Sequence, residues 1–148
     1  MLKILCFRSG KNLYGVETHY VKEINRNPEM TVIPLAPQMV AGLMNLRGQI
    51  ISLLDFEVLL GYPTEQLKKH CIVFKKEKGE QDVMALLVEK AEAVLEVDEA
   101  LCESPAPYLE IEFRNTIKFI AKLEKELLII IDKEKLFKLR EGSHVKIL

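Results

Sequence analysis

Residues 45 to 61 read NLRGQIISLLDFEVLLG. Gln49 to Leu54 is short, rich in Ile and Leu, and bounded by Gly48 and Asp55, the pattern of a buried strand. Asp55 suits the N-cap of a short helix, Phe56 to Leu60, because its carboxylate can accept the unpaired N–H groups of a first turn. Gly61 and Pro63 close that helix. Arg47 and Gly48 stand where the strand turns back on its predecessor. Gly48 fits a turn residue of positive φ; Arg47 is either a surface charge or a residue kept for a partner.

Upstream of this stretch, LKILCF (2 to 7) and NLYGVE (12 to 17) flank Arg8, Ser9, Gly10 and Lys11, a hairpin pattern. In VETHYVKEI, Val16, Tyr20, Val21 and Ile24 recur at helical spacing, which predicts a short helix before Asn25, Asn27 and Pro28. A short strand around TVIP and a Pro-bounded loop follow. Downstream, HCIVFK (70 to 75) and DVMALLVE (82 to 89) form a second hairpin pattern, followed by AEAVLEV. Beyond SPAP (104 to 107) come IKFIAKL (117 to 123), ELLIII (126 to 131) and the cap-and-helix signal DKEKLFKL. The tail EGSHVKIL is given no element.

The two halves form an internal repeat. Setting Leu46 on Leu123 superimposes the apolar strands, places Asp55 on Asp132, and places Leu59 and Leu60 on Leu136 and Phe137. With a slightly smaller offset Val16 and Glu17 fall on Val88 and Glu89, and VKEI (21 to 24) on VLEV (94 to 97). A period of roughly 75 residues that occurs twice is too long for a solenoid. It predicts two small β-rich lobes, with short strands and no long helices between them, around a shared core. At the place of Arg47 and Gly48 the second half has Glu124 and Lys125, whereas Asp132 keeps the cap. Asp55 and Asp132 are therefore read as structural helix caps.

With 148 residues the chain can bury about two thirds of its unfolded surface. Cys6, Cys71 and Cys102 are odd in number and lie in or beside apolar runs, which favours reduced core thiols and a cytoplasmic protein. No apolar stretch approaches the roughly 20 residues needed to span a bilayer, so membrane insertion is not expected. A net charge of -1 with interleaved signs gives no field for nucleic acid.

Chemistry-bearing patterns are scarce. Phosphate loops, HExxH, CxxC and GxSxG are all missing from the sequence. His70 and Cys71 are adjacent, and neighbours on a strand face opposite sides, so Cys71 reads as core and His70 as solvent-facing. His19 and His144 read as surface residues, and three scattered histidines make no metal site. Glu17, Glu23, Glu57 and Glu89 read as a solvated face. Neither a catalytic residue, a metal nor a cofactor is expected.

The run YGVETHYVKEINRNPEMTVIPLAPQMVAGLMNLRGQIISLLDFEVLLG resembles the first half of the CheW family of bacterial chemotaxis coupling proteins. It has the YGV element, the V-x-E-I helix, the Pro-flanked loop, the Gly-Leu-x-Asn-Leu-Arg-Gly turn and the apolar strand ending in Asp, in that order. Weaker similarity continues to DKEKLF. The resemblance implies a free-standing, single domain over 1–148, with interleaved lobes, an approximate repeat of 2–61 and 70–139, and a tail at 141–148. It implies two SH3-like five-stranded β-barrels and a non-catalytic adaptor. Its partners would be the cytoplasmic tip of methyl-accepting chemoreceptors, a helical hairpin, and the regulatory domain of a CheA-type histidine kinase. By motif, Arg47 matches the coupling arginine. Val21 and Val94 match the walls of a receptor groove, although composition alone would make them core, and Gly42 and Gly48 match backbone-determining glycines. Phe119, Ala121 and Glu124, with Glu89 and Lys90, depart from the family where glycines or Asp-Gly are frequent, which points to a diverged kinase or a chemosensory pathway other than motility. A small-ligand-binding β-barrel is the alternative from another class.

Overall fold

The structure, a computed structural model, describes residues 1–62, 70–80, 82–105 and 111–139, with the backbone alone at 111–113. Pro63, Ala106 and Pro107 of SPAP, and the tail EGSHVKIL with its His144, all read above from sequence, lie outside the described residues.

The chain is mainly β. Among the described residues ten strands run in the order β1 (Leu2–Ser9), β2 (Asn12–Glu17), β3 (Val21–Asn25), β4 (Val40–Leu46), β5 (Gln49–Asp55), β6 (His70–Phe74), β7 (Met84–Val88), β8 (Lys90–Val97), β9 (Ile117–Lys122) and β10 (Leu127–Ile131). Short helices α1 (Phe56–Leu59) and α2 (Ile111–Thr116) and a helical segment at 133–139 join them. The strands form two five-stranded sheets, ordered β8-β1-β2-β10-β9 and β3-β6-β7-β5-β4. Two compact units result: residues 1–18 with 92–148, and residues 19–91. Each is a small β-rich lobe, as the internal repeat leads one to expect, and the two-lobe, SH3-like plan is the one that the resemblance implies.

The halves of the repeat are not the units. Hairpin β1–β2 of the first half joins three strands of the second, and hairpin β6–β7 of the second half joins three strands of the first. The correspondence extends to details. β10 runs parallel to β2 as β5 runs parallel to β7. The bridge Thr31–Leu43 matches Glu103–Ile120, and the register shifts once at Ala41 and once at Lys118. Asp55 Oδ1 accepts the N–H groups of Glu57 and Val58 at 3.0 and 3.3 Å, while Asp132 Oδ1 accepts that of Lys135 at 3.2 Å. Both aspartates are caps, as the repeat requires.

Each unit has its own apolar core, since alternate residues of its strands face inward. In the 19–91 unit it comprises Met44, Ile51, Leu53, Cys71, Val73, Val83, Ala85 and Leu87. In the other, Ile4, Cys6, Leu13, Val97, Ala121, Leu128 and Ile130 pack together. The cysteines are free; Cys6 and Cys71 are buried. Burial pushes both thiols up to about 11, which leaves them protonated and unreactive at neutral pH.

The structure corrects four expectations. The helix expected across VETHYVKEI is a single 3-10 turn, Thr18–Tyr20, between two strands. Val21, Lys22, Glu23 and Ile24 belong to β3, whose pairing with β6 overrides the helical spacing of the apolar residues. The strand around TVIP reduces to one bridge at Thr31, because Pro34 has no N–H with which to continue a ladder. His70 is half-buried, and its Nδ1 accepts the Ala91 N–H at 2.9 Å, so it is not simply solvent-facing. Glu17 is buried and takes the Lys118 ammonium at 2.6 Å, so it does not belong to a solvated face. Helix α2 had no signal in the periodicity.

Candidate functional site

Arg47 sits at the tip of the β4–β5 hairpin. Leu46 pairs with Gln49, which leaves a two-residue loop of Arg47 and Gly48. Their φ values are +50° and +86°. A two-residue hairpin loop needs positive φ at both central positions to match the strand twist, and Asn-Gly is the usual solution. Gly48 adopts this conformation without strain, and its N–H donates to Asn45 Oδ1 at 2.9 Å. Arg47 adopts it at the expense of a crowded Cβ, a strain of about 1–2 kcal/mol. An arginine where the backbone favours asparagine points to a use for its side chain.

That side chain is two-thirds exposed and ion-pairs with Glu23, which is 27% exposed, on β3. β3 and β4 are the two edges of their sheet, and a second side-chain contact, Asn25 Nδ2 to Met44 Sδ at 3.7 Å, also joins them. Arg47 therefore helps close the barrel while its guanidinium, with five donors in a planar fork, keeps a face open to solvent. Glu23 and Asn25 of β3 and the hairpin tip make a polar rim.

The other glycine of the motif has a packing role. At Gly42 a Cβ would lie 2.6 Å from the Thr31 carbonyl oxygen and would collide with the Met30 side chain. Only glycine lets residues 30 and 31 lie against β4, where Thr31 and Leu43 exchange N–H···O bonds of 2.8 and 2.9 Å. Gly42 thus fastens the loop between β3 and β4.

Of the residues that sequence reasoning selects, Val21, Gly42, Arg47 and Gly48 belong to the 19–91 unit. Arg47 and Gly48 share the tip, Val21 lies on β3 two residues from Glu23, and Gly42 holds the loop. Val94 lies on β8 in the other unit. The valines are not core: Val21 is half-buried and Val94 is 54% exposed. Two members of the site were missed. Asn45 could have been found, since an Asn three residues before a turn glycine is a local hydrogen-bonding pattern. Glu23 could not, because its pairing with Arg47 depends on barrel closure.

Among the described residues no three His, Cys, Asp or Glu side chains are grouped to hold a metal ion, and no helix is long and apolar enough to cross a membrane. His70 Nδ1 is engaged with backbone and is not directed to Cys71 as a base. What the site offers is a charged fork on a polar rim beside half-buried aliphatic residues, the composition of a protein-binding surface.

Comparison with known proteins agrees. The profile of the CheW-like domain matches residues 3–141. The chain is 28% identical over 143 residues to a probable chemotaxis protein CheW of Rhizobium etli, covering 95% of this chain and 90% of that one. It is 26% identical to the chemotaxis protein CheW of Treponema pallidum, covering 94% and 84%. Among solved structures it is similar to the scaffolding protein TtCheW of Thermoanaerobacter tengcongensis, with a TM-score of 0.79, 29% identity, and 93% and 92% of the two chains covered.

Proposed function

Because the chain belongs to the CheW-like family, we propose that it couples the cytoplasmic tips of chemoreceptors to the regulatory domain of a CheA-type histidine kinase through the surface around Arg47. It is a chemotaxis adaptor, a scaffold and not an enzyme. The observation that carries the finer reading is Arg47 itself, held at φ +50° and turned to solvent while anchored by Glu23. The strain is sustained by a side chain that closes the barrel and presents donors to a partner.

The receptor hairpin is an amphipathic helical surface. Its apolar residues would meet Val21 on β3, and Arg47 would take a carboxylate or a helix-end carbonyl at the rim. Val94 enters this reading by motif, and its exposure makes it available to a partner. One such contact is weak, and arrays of receptor, adaptor and kinase would supply the missing affinity through effective concentration. Such an adaptor works at the cytoplasmic face of the membrane without inserting into it.

The test is kinase activity in a reconstituted mixture of this protein, its cognate kinase and a receptor signalling fragment. Wild type is expected to raise the kinase rate. Arg47→Glu, which places a carboxylate against Glu23 and removes the donors, is expected to abolish the increase. If neither protein binds or alters the kinase, the family likeness describes only the fold.

A further inference from the structure

The loop between β3 and β4 exposes more aliphatic surface than any other described loop. Met30 is 39% exposed, Ile33 36%, Val32 68%, and Leu35 wholly exposed. Leu35 also has φ +65°, the only positive φ outside glycine besides that of Arg47 among the described residues. Both properties are unfavourable. A γ-branched side chain is crowded in the left-handed region, and an isolated leucine on a protruding loop gains nothing from the fold. Asparagine or glycine would serve the backbone better.

The loop is nonetheless held. Pro34 and Pro37 restrict it, the Ala36 N–H donates to Ile33 O at 3.4 Å, and the Val40 N–H donates to Pro37 O at 2.9 Å. The Thr31–Leu43 bridge and Gly42 fasten its base to β4. A preorganised apolar protrusion loses little conformational entropy on binding. No charged residue lies between Glu29 and Arg47, so whatever covers this surface must be uncharged there.

Resting on the reading above, we propose that Leu35, with Val32 three residues before it in the same loop, is an apolar finger that docks into a concavity of the kinase. Shape and charge decide between the two partners. A receptor helical hairpin is convex, with a charged periphery, and suits the rim at Arg47. A protruding uncharged finger needs a concave apolar pocket, which a folded globular domain can offer and a helix surface cannot. Kinase and receptor would then contact the same unit through different elements.

The test compares wild type, Leu35→Asn and Val32→Asn for thermal stability and for affinity to the full-length kinase and to the receptor fragment separately. Leu35→Asn is expected to keep or raise the melting temperature, since it relieves the positive φ, and to weaken kinase binding on the order of 10-fold or more. Receptor binding should be unchanged. Unaltered kinase affinity in both variants overturns the proposal while leaving the role of Arg47 standing. Loss of self-association by light scattering, or of binding to lipid vesicles, with kinase affinity intact would assign the finger to a second copy or a membrane and overturn it equally. A lowered melting temperature with both affinities reduced together would show a purely structural loop. Failure of wild type to bind either partner would remove the reading on which the proposal rests.

Discussion

The hairpin tip that joins β4 to β5 and the tip that joins β9 to β10 occupy the same place in two units of one topology, yet they are built on opposite charges. In the first, Arg47 reaches from a two-residue loop to Glu23 on the edge strand β3. In the second, Lys122 pairs with Leu127, and the turn is closed by the Leu123 N–H on Glu126 O at 2.9 Å. There Glu126 receives Arg8 of β1 in a two-toothed pair of 2.8 and 3.1 Å, and Arg8 also reaches Glu92 of β8 at 3.3 Å. The fold needs each tip to be tied down, and it accepts either polarity. What the fold does not need is an arginine at positive φ. Among the described residues the corresponding tip of the other unit has no positive φ, which supports the role we propose for Arg47.

The largest break in the comparison is at the position where the units differ most in volume. Gly42 aligns with Phe119, which is half-buried and packs against the core of its own unit. Gly42→Phe would drive a ring into Met30 and the Thr31 carbonyl. We expect a loss of about 2–3 kcal/mol in denaturant unfolding and release of the loop base. An unchanged unfolding midpoint would show that the Thr31–Leu43 bridge does not depend on glycine, and the account of the motif would fail at that point.

A smaller effect is expected from Gly48→Lys, which copies the second tip's Lys125. At φ +86° a side chain is strained by about 1–2 kcal/mol. The chain is equally long in the two tips, since Leu46 and Gln49 align with Leu123 and Glu126. An unchanged melting temperature in Gly48→Lys would therefore show that positive φ at this position costs the turn nothing.

These two residues show how far the chain's pattern could be read. The hairpins, the strand from Gln49, both capping aspartates and the two-lobe plan follow from alternation, turn residues and the repeat, all of which are local or recur at a fixed offset. The exchange of hairpins between halves leaves no periodic mark, because pairing of β2 with β10 and of β7 with β5 is long-range; only the family resemblance implies interleaved lobes. β3 was misread as helix because Val16, Tyr20, Val21 and Ile24 fit a 3.6 period while the true constraint, the register of Val21 on Phe74, is tertiary. Arg47 was identified by its motif, but its strain and its tie to Glu23 became visible only with backbone angles and coordinates. Leu35 gave no signal, since the surroundings of one leucine between prolines cannot be judged from sequence.

A third substitution separates the turn from its side chain. Arg47→Asn puts the residue the backbone prefers at φ +50°, relieving about 1 kcal/mol of strain, and removes an exposed ion pair worth about 0–1 kcal/mol. The terms nearly cancel, so the melting temperature should hardly move while the gain in kinase rate disappears. A marked loss of stability would mean that the Arg47–Glu23 tie carries the barrel closure, and the functional reading of the arginine would weaken.

The smallest expected effect concerns the ion pair of the second tip and its dependence on pH. The hydrogen bond from Arg8 holds the Glu126 carboxyl below its ordinary value of 4.5, and Arg8 is correspondingly held in its charged form. A carboxyl whose folded value is depressed adds stability above its unfolded value and loses it as pH falls through the folded value. Wild type should therefore exceed Glu126→Gln slightly at neutral pH, and the difference should close as the solution is acidified below the ordinary carboxylate range. Glu126 is exposed and Arg8 half-buried at the surface, so salt should shrink the difference as well. Glu126→Gln should leave kinase coupling intact, in contrast to Arg47→Asn, because the tip of this unit holds its strands together without holding a strained residue toward a partner. Loss of coupling in Glu126→Gln would show that both tips serve the assembly and would erase the asymmetry between them.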